Sequence, residues 1–395
     1  MKREEIRKMW IADNGDGTYS NPILYTDYSD PDAIRVGEDY FLVASSFCNA
    51  PAVPLLHSKD LVNWKVINYC MEKLPFSALN DYDKPIHGCG TWAPSIRFHD
   101  GVYYVFVPMP DEGILMCKTE DPWGKWSEPA YVRKVVGWID PCPFWDDDGK
   151  AYMVTAFARS RIGFKSMLYM SPMEPDCSGV LDDGQFIYDG HETQPTIEGP
   201  KLYKRNGYYY IFAPAGGVKT GWQTVLRSRS IYGPYEEKIV MRQGGSPVNG
   251  PHQGAWVDTP TGEDWFIHFQ DVGNAGRIIH LQPMRWEDDW PVIGEDPDED
   301  GCGEPVLRHK KPDVGAQYPV CAPEDSDFFE GESLGLQWQW NANYQKDWYS
   351  LGDGRLTLYA QPAEEKRQLC DVSNLLLQKW PAPEFTCVTK LDLSH

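Results

Sequence analysis

The sequence predicts an all-β protein, and three observations lead to that class. Helical periodicity is scarce, whereas short apolar segments with period-two alternation recur along the chain. Gly and Pro, 35 and 32 residues respectively, punctuate these segments. The turns include Asp-Gly and Asn-Gly pairs, which are strong hairpin signals because Gly accepts the positive φ of a tight turn. A chain of 395 residues is expected to form one large domain and a smaller one.

Five stretches share one design, in which a polar or aromatic residue precedes a Pro or Gly, an apolar strand, a turn and an aromatic-rich strand. They are "SDPDAIRVGEDYFLVASSF", "GTWAPSIRFHDGVYYVFVPM", "WIDPCPFWDDDGKAYMVTAF", "IEGPKLYKRNGYYYIFAPAGG" and "GPHQGAWVDTPTGEDWFIHFQ". They begin near residues 30, 92, 140, 198 and 252. This spacing, about 50 to 60 residues, is typical of propeller blades with loops of varying length. The sequence therefore predicts a five-bladed β-propeller in residues 1–300.

The beginnings of the five repeats are expected to form one site. The innermost strand of each propeller blade runs along the central channel, so residues at its entrance converge on one funnel. The residues at these blade entrances are Asp30, Trp92, Asp140, Glu198 and His252. Isolated turn residues would not be expected to supply three acids, a Trp and a His. The sequence therefore predicts a functional site at this end of the channel.

Three carboxyl groups in one funnel suit glycosidic bond hydrolysis. The reaction needs a protonated carboxyl that gives its proton to the leaving oxygen and an ionised carboxylate that attacks or activates water. Repulsion and partial burial favour keeping one acid neutral near pH 7, so a third acid can tune the others. The same oxygens could instead hold a divalent cation, but the sequence shows no Asp-rich loop with calcium-ligand spacing within the repeats.

These motifs, in this order, resemble glycoside hydrolase family 43, the five-bladed β-xylosidases, α-L-arabinofuranosidases and arabinanases. "SDPDA" is similar to the general-base segment, which implies that Asp30 activates water. "WIDP" is similar to the segment whose acid, here Asp140, tunes pKa values and orients the sugar. "IEGP" resembles the general-acid segment and implies that Glu198 donates the proton. The family inverts anomeric configuration, which implies a gap of about 6.5–9.5 Å between acid and base.

The resemblance implies four further site residues. His252 in "PHQGAWV" corresponds to a His on the propeller axis, beside water or a structural Ca²⁺ or Na⁺ ion, although the chemistry requires no cofactor. Arg277 in "GRIIHLQPMRW" corresponds to an Arg that reaches the sugar and the acids. Trp92 would stack on the substrate, and Phe47 would form an apolar subsite wall. The alternatives are a structural His, a surface ion pair for the Arg, and plain core aromatics.

Other acids near these motifs are expected to lie in hairpins or on the surface. They are Asp32, Asp146, Asp147 and Asp148. Of these, Asp32 is the alternative candidate for the base, because it stands two residues after Asp30 in "SDPD".

A second region follows the propeller. Residues 301–325 are rich in Pro, Gly and charge and are expected to form a linker along the propeller surface. Segments such as "WYSLGDGRLTLYA" predict the start of a β-sandwich in residues 326–395. A sandwich commonly needs about 100 residues. The domain is therefore expected to be partial or truncated, which would leave the pocket more open on one side.

Composition restricts the partners. Lys and Arg total 37 against 58 Asp and Glu, and the net charge of -21 disfavours nucleic acid and anionic membranes. Aromatic residues, 13% of the chain, suit stacking on sugars but also occur in strand-rich cores. No segment has the apolar length of a signal peptide or membrane helix, so a cytoplasmic protein is expected unless an export signal was removed. The ten cysteines lack zinc or disulfide spacing and are expected to be reduced.

The predicted function is that of an inverting exo-glycosidase acting on oligosaccharides from xylan, arabinoxylan or arabinan. It would release terminal α-L-arabinofuranose or β-D-xylose, and the interpretation leans to the arabinofuranoside or to dual activity. A non-catalytic carbohydrate-binding propeller would be favoured by loss of a catalytic acid, and none is lost. A retaining fructosidase-type propeller would carry Asn-Asp-Pro-Asn, Arg-Asp-Pro and Glu-Cys-Pro motifs, which are absent. The oligomeric state is left open.

Overall fold

The computed structural model describes residues 8–75, 82–362 and 368–393. Residues 1–7, on which part of the signal-peptide interpretation depends, lie outside this range, as do 363–367 and 394–395 of the predicted sandwich. None of the helices in the described residues has the length and apolar character needed to cross a membrane.

The described chain contains five four-stranded antiparallel sheets, each made of four consecutive strands. Strand β1 (Thr18–Ser20) precedes them. Blade 1 consists of β2 (Asp32–Val36), β3 (Asp39–Val43), β4 (Ala52–Ser58) and β5 (Trp64–Met71). Blade 2 consists of β6 (Ser95–His99), β7 (Val102–Met109), β8 (Gly113–Thr119) and β9 (Ala130–Lys134). Blade 3 consists of β10 (Trp138–Trp145), β11 (Ala151–Phe157), β12 (Met167–Met173) and β13 (Gln185–Asp189), with helix α1 (Arg159–Ile162) between β11 and β12. Blade 4 consists of β14 (Lys201–Arg205), β15 (Tyr208–Ala215), β16 (Trp222–Ser228) and β17 (Glu236–Met241). Blade 5 consists of β18 (His252–Asp258), β19 (Asp264–Asp271), β20 (Arg277–Glu287) and β21 (Trp290–Ile293), with a 3₁₀ turn (Gly273–Ala275) before β20. The predicted all-β class and five-bladed propeller are confirmed.

The hairpin signals in the sequence act as predicted. Asn206 and Gly207 join β14 to β15 with φ angles of 51° and 72°, and Asp100 and Gly101 join β6 to β7 with 48° and 81°. Positive φ at both central residues is the conformation of the type I′ turn, whose twist matches that of the flanking strands. The first two strands of these blades are therefore paired by local chemistry.

Buried side chains lie between neighbouring blades. Phe41 of blade 1 packs in one cluster with Ile96 of blade 2. Leu42, on the opposite face of the same strand, packs with Ile267 of blade 5, so apolar packing continues around the ring. The ring is tied outside the blades, because β1 pairs with β22 (Arg308–Lys310), a strand from the predicted linker. Each blade thus buries both faces against its neighbours.

A chain of hydrogen bonds links the innermost strands of blades 1 to 4. Its residues, here called the axial belt, are Asp32, Arg97, Cys142 and Leu202. The Asp32 carboxylate accepts hydrogen bonds from the Ile96 amide, at 2.9 Å, and from Arg97 Nη1, at 2.6 Å. Arg97 Nη2 lies 2.9 Å from Cys142 Sγ, which also accepts the Leu202 amide at 3.3 Å.

The expected hairpin or surface position of Asp32 is wrong, because its side chain is 0% exposed and paired with Arg97. Two residues beyond a turn, the chain has already entered the first strand of the blade. Asp147 and Asp148 are exposed as expected. Asp146 is not fully exposed, and it forms an ion pair with Lys204 of the next blade.

The C-terminal region docks on blade 1. Its described strands form two pairs, β23 (Trp338–Trp340) with β26 (Leu376–Gln378) and β24 (Tyr349–Gly352) with β25 (Arg355–Leu358). Two further 3₁₀ turns span Lys346–Trp348 and Leu369–Asp371. Trp340 and Ala50 exchange backbone hydrogen bonds of 2.6 and 3.0 Å, and the Asn343 side chain binds both backbone groups of Leu74. All ten cysteines are free thiols.

Candidate active site

Asp30 and Asp140 occupy corresponding blade entrances in an uncommon backbone conformation. Asp30 lies just before β2 with φ 56°, and Asp140 lies in β10 with φ 54°. Asp140 falls where the pairing of β10 with β11 shifts register, between Ile139 and Cys142. Bulges re-aim side chains, and left-handed non-glycine residues persist only where the surrounding structure holds them. Both acids are therefore turned out of the ordinary strand direction.

The Asp30 carboxylate accepts hydrogen bonds on both oxygens. The Ser29 and Ser45 hydroxyls donate to Oδ2 at 3.0 and 2.8 Å, and Arg277 Nη1 donates to Oδ1 at 2.5 Å. Charge-assisted bonds of this kind are stronger and more directional than neutral ones. Asp30 is thus a buried acceptor held in one orientation by a cation and two hydroxyls.

Arg277 is the first residue of β20, and the sequence predicted that its side chain reaches the acids. Its guanidinium also donates to Ser29 Oγ at 2.9 Å and lies 4.7 Å from the centre of the Phe269 ring. Its backbone amide donates to Asp27 Oδ1 at 2.9 Å. Both its side chain and its backbone therefore hold the segment that leads to Asp30, and a free surface ion pair is not what the structure shows.

Glu198 precedes β14, and among the described residues no cation pairs with its carboxylate as Arg277 pairs with Asp30. Its side chain is 25% exposed, and Oε1 lies 3.4 Å from His252 Nε2. Burial, followed by the negative charges of Asp140 and Asp30, raises the pKa of Glu198 to about 8. Glu198 therefore carries a proton at neutral pH.

Asp140 is joined to the peptide that follows Glu198. Its Oδ2 accepts the Gly199 amide at 2.8 Å. Gly199 has φ +60°, and a Cβ there would stand 2.9 Å from the Gln253 side chain, so both conformation and space require glycine. Burial is the main cause that raises the pKa of Asp140 to about 6, while the Gly199 amide and the Lys201 charge act in the opposite direction.

His252 is buried at the start of β18, with its ring 5.3 Å from that of Phe269. Burial, with the Arg277 charge, lowers the pKa of His252 to about 3, so the imidazole beside Glu198 is neutral. Within the part of the chain that the structure describes, neither ring nitrogen has a hydrogen-bonding partner. A neutral ring with an unpaired nitrogen can accept from a water or from the Glu198 proton.

The family resemblance implies a structural Ca²⁺ or Na⁺ ion on the propeller axis, near His252. Neither ring nitrogen of His252 is paired among the described residues, and the one that carries no proton can accept from a water bound to such an ion. Among described residues, the group of ligand atoms at metal spacing is His87, Cys370 and Asp371, which are all exposed and do not include His252. A water-mediated ion beside His252 stays a prediction.

The two predicted aromatic residues are linked to each other. Phe47 and Thr91 exchange backbone hydrogen bonds of 2.9 and 3.0 Å, which places Phe47 beside the segment of Trp92. The indole of Trp92 donates to the Gly88 carbonyl at 3.2 Å, and the Arg161 guanidinium lies 4.9 Å from its ring. Both aromatic residues are partly exposed, and their contact with a sugar stays a prediction.

Sequence reasoning missed several partners of the acids. Ser29 and Ser45 bind Asp30, and Asp27 binds the backbone of Arg277. Lys201 is fully buried, and its Nζ has no hydrogen-bonding partner among the described residues. Lys201 could have been found, because it follows Glu198-Gly-Pro on an innermost strand. Ser45 carries no such signal, since its position beside Asp30 arises only from the pairing of β2 with β3.

This protein is a five-bladed propeller with an Arg-bound carboxylate, Asp30, and a glutamate of raised pKa, Glu198, at its blade entrances. These features fit the class of glycoside hydrolases. The chain belongs to glycosyl hydrolases family 43, whose family model matches residues 19–291. The model of the beta xylosidase C-terminal concanavalin A-like domain matches residues 326–395, so the smaller predicted domain is a β-sandwich of this type.

Relatives support the same family. A putative beta-xylosidase of Xylanibacter ruminicola is 45% identical over 98% of this chain and 70% of its own length. A non-reducing end alpha-L-arabinofuranosidase of Bacteroides ovatus is 29% identical over 87% of this chain and 65% of its own length. The crystal structure of a xylan beta-1,4-xylosidase from Bacillus halodurans matches with a TM-score of 0.79 and 27% identity, over 92% of this chain and 72% of that one. The chain therefore spans about two thirds of these relatives' length.

Proposed function

We propose that this glycoside hydrolase is an inverting, exo-acting enzyme that releases terminal β-D-xylose, and secondarily α-L-arabinofuranose, from plant-cell-wall oligosaccharides. The observation that carries the proposal is the contrast between two acids at one funnel. Asp30 is bound by Arg277 and two serines, whereas Glu198 lies beside a neutral imidazole and holds its proton at pH 7. Glycosidic hydrolysis requires one carboxyl group that donates a proton and a second one that acts as base.

In the proposed mechanism Asp30 takes a proton from a water molecule, whose oxygen attacks the anomeric carbon from the face opposite the leaving group. Glu198 gives its proton to the glycosidic oxygen as the carbon–oxygen bond breaks. The transition state has oxocarbenium character. At the end of the step Asp30 is protonated and Glu198 is ionised, and exchange of one proton with solvent restores both.

Asp140 and Arg277 tune this pair. The negative charge of Asp140 is the largest cause after burial that raises the pKa of Glu198. The Arg277 charge lowers the pKa of Glu198 and at the same time orients Asp30. The two residues therefore act in opposite directions on the acid, whose pKa is raised mainly by burial.

The sugar preference differs from the expectation drawn from sequence, which leaned to the arabinofuranoside. The relative that is 45% identical and the matched Bacillus halodurans structure both carry β-xylosidase names, and the residue 326–395 region matches a β-xylosidase domain. The arabinofuranosidase name belongs to a relative at 29% identity. Both sugars are pentoses with similar hydroxyl arrays, so α-L-arabinofuranosides remain the second candidate substrates.

The proposal is tested with p-nitrophenyl β-D-xyloside, p-nitrophenyl α-L-arabinofuranoside and xylobiose. Glu198→Gln is expected to lower kcat on xylobiose by about two to four decades and less on the nitrophenyl sugars, whose leaving group needs little protonation. Glu192→Gln, an exposed glutamate six residues earlier, is the matched control and is expected to leave the rates unchanged. Equal losses on both leaving groups would contradict the role of Glu198 as acid.

The stereochemistry of the first product separates the alternatives. Proton NMR during hydrolysis of a β-xyloside is expected to show α-xylose first, whereas a retaining enzyme would show β-xylose. Xylobiose binding without turnover of any of the three substrates would instead favour the carbohydrate-binding propeller.

A further inference from the structure

We infer that Lys379, from the C-terminal domain, is a positioning residue for Asp30. Its ion pair with Asp27 would hold residues 27–30 in place. The inference rests on the proposed function in that Asp30 is the base. It assigns the small domain a part in orienting the catalytic carboxylate, which is different from forming a wall of the pocket.

Lys379 follows β26 directly and reaches the propeller. Its Nζ lies 3.9 Å from Asp27 Oδ2 and 5.8 Å from the centre of the Tyr28 ring. The Lys379 side chain is 21% exposed and that of Asp27 is 38% exposed, so the pair is partly shielded from solvent. The cation thus lies over the two residues that precede Ser29 and Asp30.

The other carboxylate oxygen of Asp27 binds the backbone at the start of β20. Oδ1 accepts the backbone amide of Arg277 at 2.9 Å. Asp27 packs so closely against Gly276 that a Cβ there would stand 2.4 Å from its Cγ, and Gly276 has φ +81°. A glycine is required at this contact for both reasons. Asp27 therefore bridges the C-terminal domain and the loop that carries Arg277.

The charges explain why a cation is needed at this place. Asp27 and Asp30 both lie near the single guanidinium of Arg277, and the negative charges of both raise its pKa. Arg277 Nη1 donates to Asp30 and to Ser29. Lys379 supplies Asp27 with a cation of its own, which leaves the guanidinium of Arg277 directed at Asp30. Loss of Lys379 would leave two carboxylates competing for one guanidinium.

The strand pair that precedes Lys379 is held against the propeller by hydrogen bonds. β23, which pairs with β26, is bound to blade 1 through the backbone exchange between Trp340 and Ala50. The Gln339 side chain donates to the Pro51 carbonyl at 2.8 Å. Docking of the small domain and orientation of the base segment are thus one continuous set of contacts.

The test compares Lys379→Met, Lys379→Arg and Lys390→Met in the full chain with xylobiose. Lys390 is an exposed lysine of the same domain, so its variant is the control for the change in charge. Lys379→Met is expected to lower kcat about two- to fivefold, the range of a partly exposed ion pair, with KM nearly constant. Lys379→Arg is expected to restore kcat, and Lys390→Met to match wild type. In an Asp27→Asn background the Lys379→Met loss should shrink, because the partner is gone.

Hydrogen exchange gives a readout that does not need turnover. The Arg277 amide, which donates to Asp27, is expected to exchange faster in Lys379→Met and at the wild-type rate in Lys390→Met. If wild type hydrolyses none of the substrates, the proposed function fails. The exchange rates still show whether Lys379 stabilises the hydrogen bond between Asp27 and the Arg277 amide. Unchanged exchange and kcat in Lys379→Met would overturn the inference, as would a kcat loss that Lys379→Arg does not restore or that Asp27→Asn leaves undiminished.

Discussion

The entrances of blade 1 and blade 4 have similar local frameworks and opposite electrostatics. In each, a short segment with a Pro and an acid leads into the innermost strand. At blade 1, Asp30 accepts bonds from Arg277, Ser29 and Ser45. At blade 4, Glu198 faces the neutral ring of His252, and burial together with the negative charges of Asp140 and Asp30 raises its pKa. One acid is therefore held as an acceptor and the other keeps its proton.

This difference shows that the partners of Asp30 and the pKa of Glu198 both depend on residues from other blades. Arg277 and His252 both come from blade 5, and Asp140 comes from blade 3. The short motif around each acid fixes its direction, but its chemistry depends on which neighbours the closed ring brings to it. Substitutions at these neighbours can therefore weaken or exaggerate the contrast between the two entrances.

The largest expected effect comes from removing the base itself. Asp30→Asn keeps the size and hydrogen-bonding reach of the side chain but cannot take a proton from water. We expect kcat on xylobiose to fall by about two to four decades. Steady-state kinetics measure the loss, and Asp147→Asn, an exposed acid, is the control. A rate within a factor of a few of wild type would assign the base elsewhere.

Asp32→Asn tests the second acid of the same motif, two residues away. Asp32 is fully buried in the axial belt and paired with Arg97, so its neutralisation leaves an uncompensated buried cation. We expect the free energy of unfolding to fall by about 3–5 kcal/mol, as measured by urea denaturation. The folded fraction should retain most of its kcat. A loss of kcat without a loss of stability would mean that Asp32 acts in the chemistry.

Arg277→Met removes the cation that distinguishes blade 1 from blade 4. We expect kcat/KM to fall by about one to two decades, since Asp30 loses its orienting partner. Because the Arg277 charge lowers the pKa of Glu198, its removal should raise that pKa further. The alkaline limb of the pH–rate profile should therefore move to higher pH. A limb that moves to lower pH would contradict the proposed electrostatics.

The last prediction concerns the pH dependence of stability. Between the ordinary glutamate pKa of 4.5 and the folded value of about 8, the folded chain retains a proton on Glu198 that the unfolded chain has lost. The free energy of unfolding should therefore decrease as pH rises through this window. Glu198→Gln should flatten that slope, which urea denaturation at a series of pH values would show. An unchanged slope would mean that Glu198 is not protonated in the folded chain.

Several features of the fold could be read from the sequence because they depend on local chemistry. The Asp-Gly and Asn-Gly turns required positive φ, and the observed turns have it at Asp100 and Asn206. Repetition of one hairpin design then identified the blades. The prediction failed at Asp32, which was expected in a hairpin or on the surface but is the buried first residue of β2. The motif "SDPD" does not show which of its acids lies before the strand and which lies inside it.

The sequence by itself determined the five repeats and therefore the set of residues that stand at the channel entrances. Their order along the chain was enough, since each repeat must present the beginning of its innermost strand to the same axis. Only the tertiary structure decided which acid is bound by Arg277, which one faces His252, and that Lys379 reaches Asp27. The physical reason is that burial and Coulomb interactions depend on distances in space between segments that lie far apart in sequence, such as those of Asp27 and Lys379.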